Sequence, residues 1–149
     1  MSAPVDFFVP GVPAPQGSKR AVTRGRKVVL VEMSKRVKPW RQAVATVASL
    51  HPPLPAGSPL RLVVTFRMPR PKAHYGTGRN AAVLKASAPS LVARTPDLDK
   101  LLRSTCDGLT ESGLIGDDSL IVAVTALKRY ADGARTGAHI TVGVAVEAP

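Results

Sequence analysis

At 149 residues, 44% hydrophobic and 21% charged, the chain suits one small domain and is long enough to bury a core without a structural metal or a disulfide framework. Its single cysteine, Cys106, excludes an internal bridge and fits a reducing, cytoplasmic setting; MSAPVDFF does not read as a signal peptide, and no apolar run approaches the roughly 18 residues of a membrane span. A net charge of +11 favours polyanionic partners, chiefly nucleic acid or an anionic membrane.

In chain order, VDFFV (5–9) reads as a short strand, and GVPAPQGSKR as a loop ending in two positive charges. KVVLVE (27–32) reads as a second strand. KPWRQAVATVASL (38–50) places Trp40, Val44 and Val47 on one helical face with Arg41 turned outward, and Pro39 is tolerated in the first turn. HPPLPAGSP breaks that helix. LRLVVTFRM (60–68) alternates, with Leu60, Leu62, Val64, Phe66 and Met68 on one face and Arg61, Thr65 and Arg67 on the other. Residues 69–94 lack periodicity, carry five Lys/Arg and read as a long functional loop.

Thr95-Pro96-Asp97 signals a helix start, with Thr95 as the capping hydroxyl, and Leu98, Leu101, Leu102, Thr105 and Leu109 keep helical spacing over 97–110. Gly113 suits the chain reversal that follows. SLIVAVTALKRY (119–130) and HITVGVAVE (139–147, with Ile140, Val142, Val144 and Val146 alternating) read as two strands joined by ADGARTG, a C-terminal hairpin. The expectation is a mixed α+β fold, two main helices against about five strands, without repeats.

The distribution of charge is more informative than its total. Sixteen Lys/Arg precede residue 96 against only Asp6 and Glu32, whereas eight acids follow it against five bases. A protein that only binds phosphates gains nothing from acids beside them. A metal-dependent nuclease needs them, because carboxylates are the ligands of hard divalent cations. Asp97 and Asp99 stand at the predicted helix start, and Asp117 and Asp118 at the entrance to the next strand. If the fold converges them, their repulsion of roughly 4 kcal/mol at 4 Å calls for a metal, a basic partner or raised pKa values. The competing interpretation is structural. Acids at a helix N-terminus interact favourably with the dipole, and Asp-Asp before a strand commonly forms a turn. On an ideal helix, positions two apart diverge by about 200°, so Asp97 and Asp99 share a site only if Asp97 occupies the irregular cap.

PDLDKLLRSTCDGLTESGLIGDDSLIVAVTALKRY (96–130) closely resembles the core motif of RusA-type Holliday junction resolvases: a D-L-D helix start, a D-x-L segment, a turn, a D-D pair and a strand ending in lysine. GVPAPQGSKR, the PWR of the first helix and FRMPRPKAHY resemble the longer, phage-like branch, so the likeness spans about residues 8–130. It implies a homodimer, dependence on Mg²⁺ (with Mn²⁺ as a substitute) and paired cuts across a four-way or otherwise branched DNA, with no role for a membrane. Carried over by position, Asp97, Asp99 and Asp118 match the essential carboxylates, and Asp107, Asp117 and Lys128 match supporting positions. Two positions depart from the pattern: Lys100 stands where the family commonly has Asn, and Arg103 where it has a lysine. Arginine holds a phosphate through a forked contact but does not give up a proton, so Arg103 and Lys100 are assigned to the phosphate oxygens.

Lys19, Arg20, Arg70, Lys72, Arg79 and Lys85 are the candidate DNA-backbone contacts, with a solvated charged face as the alternative for each. His74 and Tyr75 are candidates for stacking on bases at an open junction. Phe7, Phe8 and Trp40 are expected in the core or a dimer interface, and Cys106 as a helix-core thiol. His51 and His139 lack metal-ligand spacing, and YGTGRN lacks the pattern of a phosphate loop. The reading at this point is a Mg²⁺-dependent junction resolvase. A nuclease for forks or flaps and a non-catalytic nucleic-acid-binding module remain as alternatives.

Overall fold

The computed structural model describes residues 3–17, 19–25, 27–32, 35–133 and 135–147; for 19–22, 24 and 27–32 it describes the backbone. Strands β1 (Val5–Pro10), β2 (Lys19–Arg24) and β3 (Lys27–Glu32) are followed by helix α1 (Val37–Ala48) and strand β4 (Leu60–Met68). Helix α2 (Leu98–Glu111) and strands β5 (Ile121–Tyr130) and β6 (Gly137–Val144) complete the fold. The fold is α+β, with a four-stranded mixed sheet in the order β1-β6-β4-β5 and a separate β2–β3 ribbon. The described strands therefore number six, one more than expected. The added strand, β2, begins at Lys19, where the Pro/Gly-rich loop was expected to run on, and pairs antiparallel with β3.

The expected C-terminal hairpin does not form. β4 lies between β5 and β6, pairing parallel with the first and antiparallel with the second. Just past β5 the Ala131 amide donates to the Met68 carbonyl at the end of β4, at 3.0 Å. The parallel β4/β5 pair requires a long crossover, which residues 69–120, with α2, provide. β6 ends at Val144, and Val146, expected within the strand, is 80% exposed.

The alternation of β4 is as expected: Leu60, Leu62, Val64, Phe66 and Met68 are all buried. They meet Ile140 and Val142 of β6, Trp40, Val44 and Ala48 of α1, and Leu101 and Leu109 of α2. Trp40 belongs to this core, and its indole Nε1 donates to the buried Thr105 Oγ1 at 3.1 Å, which satisfies both groups. Phe7 is buried and stacks on His51, whereas Phe8 lies half-buried beneath the Arg135 guanidinium. His139 pairs with Asp6 across β1 and β6. Arg41 is not turned fully outward. It is half-buried and reaches Asp107 of α2, 3.9 Å away.

The two helices touch at Gly108, where an added Cβ would stand 2.8 Å from Val44 Cβ and 3.0 Å from the Arg41 carbonyl. Gly108→Ala is therefore expected to force α1 and α2 apart at a cost of about 1–3 kcal/mol, read as a lower midpoint in urea unfolding with an unchanged slope. Among the described residues no helix is long and apolar enough to cross a membrane.

Candidate active site

α2 starts differently from the sequence expectation. Asp97, not Thr95, occupies the cap, with an extended backbone (φ −67°, ψ 137°) and no side-chain capping bond. Its carboxylate is thereby released from helical geometry, the condition under which Asp97 and Asp99 can serve one site. The approach to this cap is held by Lys128 of β5, whose Nζ donates to the Arg94 carbonyl at 2.8 Å and to the Pro96 carbonyl at 2.7 Å. Two charge-assisted bonds from a sheet lysine thus fix the segment that presents Asp97.

Asp97 is exposed and lies 3.8 Å from Lys100, a surface pair contributing under about 1 kcal/mol. Asp99 is exposed in the first turn of α2, and Arg103 and Asp107 follow at helical spacings of four, so the three share one face. The Arg103 charge acts on Asp107.

Asp117 and Asp118 have separate tasks. The Asp117 carboxylate accepts from the Ser119 hydroxyl and from the Ser119 amide (3.0 Å), bonds that hold it below the usual carboxylate range. It shapes a 3-10 turn, Asp118–Leu120, that leads into β5. Asp118 is exposed on that turn, which packs against α2. Its charge reaches Cys106 and Asp107. Burial, with the Asp118 and Asp107 charges added, pushes the Cys106 thiol up to about 11, so it stays protonated and is no nucleophile at neutral pH.

Asp107 is raised chiefly by burial and further by the charges of Asp118 and Glu111, with Arg41 and Arg103 opposing. Because the folded state prefers its protonated form, the associated stability is complete below the unfolded carboxylate value and lost as pH rises through the elevated one. Asp107→Asn is therefore expected to raise the Tm at pH 7 and leave it unchanged near pH 3, as measured by calorimetry.

The acids form two groups along α2. Asp97 and Asp99 stand at its start; Asp107 lies two turns on, about 12 Å along the axis from Asp99, and feels the charge of Asp118. Among the described residues no three His, Cys, Asp or Glu side chains come together as a group able to hold a metal ion. Asp97, Asp99 and Asp118, expected to share one pocket, are not gathered in such a group among the described residues. The donor set nonetheless fits a hydrated Mg²⁺, which takes one or two carboxylates and retains water. Asp99 and Asp118 are exposed, and no cation pairs with either among the described residues.

The candidate phosphate contacts divide. Lys72, Arg79 and Lys85 are exposed on the 69–94 segment, whereas Arg70 is not available to a phosphate: its side chain is 2% exposed. Its guanidinium donates to the Pro89 carbonyl (2.6 Å), pairs with Asp132, meets His74 Nδ1 (3.1 Å) and covers the Tyr130 ring at 4.7 Å. A charge this buried persists only when paired, and Arg70 is the clamp of the long segment. His74 is likewise engaged, edge-on against Tyr130, and the half-buried Tyr75 forms a bridge with Leu84. The side chains of Lys19 and Arg20, on β2, lie outside the described part. Sequence reasoning did not single out Arg94, which stands exposed just before the cap; its only signal was its place ahead of Thr95-Pro96-Asp97.

The chain matches the family model described as Endodeoxyribonuclease RusA over residues 10–142. It belongs to the RusA endodeoxyribonuclease family. Nearly the whole fold lies within the match, from the end of β1 to β6, including Asp97, Asp99, Asp107, Asp117 and Asp118. Membership makes the chain an endodeoxyribonuclease. No curated protein matches the chain.

Proposed function

We propose that this RusA-family protein is a Mg²⁺-dependent, structure-selective endonuclease that resolves four-way DNA junctions in recombination and repair by paired cuts. The observation that carries the reading is the exposed Asp97/Asp99 cap, anchored through Lys128, in a RusA-family chain of net charge +11.

In this reading Asp97, Asp99 and Asp118 hold the cation. Bound there, Mg²⁺ would supply Lewis-acid polarisation of the phosphodiester and acidify a water molecule. The side chains do the remaining work. Arg103, on the same helix face as Asp99, remains charged at every working pH and so stabilises charge on the non-bridging oxygens without donating a proton. Lys100 leaves its weak pair with Asp97 to contact the same phosphate. Lys128 keeps the cap in place, while Lys72, Arg79 and Lys85 guide the DNA backbone. Products with 5′-phosphate and 3′-hydroxyl ends are expected. A two-fold dimer would present one site to each of two opposed strands, matching the near two-fold symmetry of a junction.

The test is cutting of an end-labelled four-way junction, a fork and a linear duplex, each with and without Mg²⁺. Symmetric nicks confined to the junction and dependent on Mg²⁺ are expected. Fork-dominant cutting would redirect the assignment to another branched substrate, and metal-independent binding without products would end it.

A further inference from the structure

We infer that a cavity beside Asp97 is a base-binding subsite, which takes one unstacked nucleobase of the DNA strand next to the cut. The inference rests on the nuclease reading and adds a specificity element to it.

The cavity measures about 520 Å³, within the range of roughly 300–1,000 Å³ seen for small organic ligands. It lies between the β1–β2 connection, the end of β4 and the 92–96 segment. Met68, Val92 and Tyr130 give it an apolar floor, and Pro96, immediately before Asp97, forms part of its wall. Five of its lining residues are prolines, whose fixed φ makes the wall preformed. Lys128 holds the Arg94 and Pro96 carbonyls from behind, so one lysine stiffens both the carboxylate cap and the wall of the cavity.

The charges define the occupant. Arg36 and Arg94 are exposed at the lining, and no acid stands among the described lining residues. An apolar slot with cationic lips complements a flat, uncharged base carrying a phosphate on either side. Guanidinium planes also stack on bases. Bases near a branch point are the cheapest in a duplex to unstack, since they have lost a neighbour. Because only Pro96 separates Thr95 of the wall from Asp97, a base held here belongs to a nucleotide adjoining the cut phosphate. Its fit would set the preferred cutting position.

The experiment uses the full-length protein and four-way junctions carrying 2-aminopurine or an abasic residue at each nucleotide next to the branch point. Val12→Trp blocks the mouth from a position that is 43% exposed, and Arg36→Ala removes one lip. At one position, 2-aminopurine fluorescence is expected to change on binding in EDTA, and an abasic residue there to slow Mg²⁺-dependent cutting about tenfold. Val12→Trp should erase the fluorescence change and slow cutting of the intact junction by a similar factor, with no further loss on the abasic junction. Arg36→Ala should weaken both responses. Independent, multiplying losses, or a Val12→Trp protein that responds as wild type does, would overturn the subsite. If no branched DNA is cut at all, the nuclease reading fails, and the fluorescence in EDTA still decides the cavity: a change erased by Val12→Trp keeps it, and one unaffected removes it.

Discussion

Asp99→Asn is expected to slow junction cutting by roughly a thousandfold or more while junction affinity, measured in EDTA, stays within about twofold. The substitution keeps the size of the side chain and removes the charge that a hard cation requires. Asp99 is exposed and makes no ion pair among the described residues, so the fold loses at most the dipole interaction of a first-turn acid, about 0.3–1 kcal/mol. Asp97→Asn and Asp118→Asn should behave alike, and single-turnover cutting beside gel-shift binding separates the two quantities. Asp107 provides an internal comparison, because it is the acid whose ionisation feels Asp118. If Asp107→Asn abolishes cutting while Asp97→Asn leaves it intact, the working carboxylates are Asp107 and Asp118, toward the C-terminal half of α2. If all four variants cut at the wild-type rate, the acids serve only the helix and the turn.

Arg70→Ala should destabilise the fold by about 3 kcal/mol, because it strands Asp132, leaves the Pro89 carbonyl without its charged donor and uncovers Tyr130. The resulting drop in Tm should come with faster proteolysis within 69–94, the segment that Arg70 closes. Its effect on DNA binding is expected to differ in kind from that of its neighbours. Lys72→Ala, Arg79→Ala and Lys85→Ala should each reduce the slope of log K against log salt by about 0.9 with little change in Tm. Arg70→Ala should leave the slope unchanged at temperatures where the protein remains folded. A reduced slope without loss of stability would make Arg70 a phosphate contact after all.

The contrast between Arg70 and Lys72 shows where sequence reasoning ends. Both are basic residues in one aperiodic stretch, and nothing local distinguishes them. The difference arises from Asp132, 62 positions away, and from the Tyr130 ring at the end of β5. Lys128 gives the same lesson: its match to a family position implied a supporting role, but not that its ammonium would hold the two carbonyls ahead of the Asp97 cap. The placement of β5 beside β4 was equally hidden. The two final strands alternate as a hairpin would, and only the competition of three strands for two edges of β4 decides the order.

By itself the sequence determined the class of fold, the core-facing sets of β4 and both helices, the basic and acidic halves, and the acids worth testing. The fold class, the core faces and the two halves follow from periodicity, charge and spacing, which are properties of neighbours along the chain, and the choice among the acids follows from the family resemblance. Tertiary structure alone decided that Asp97 occupies an extended cap, that the Asp118 charge reaches Cys106 and Asp107 of α2, that Arg70 is buried, and that a cavity opens beside the Asp97 cap. Each of these depends on contacts between residues far apart in sequence, whose energies appear only once the sheet has brought them together.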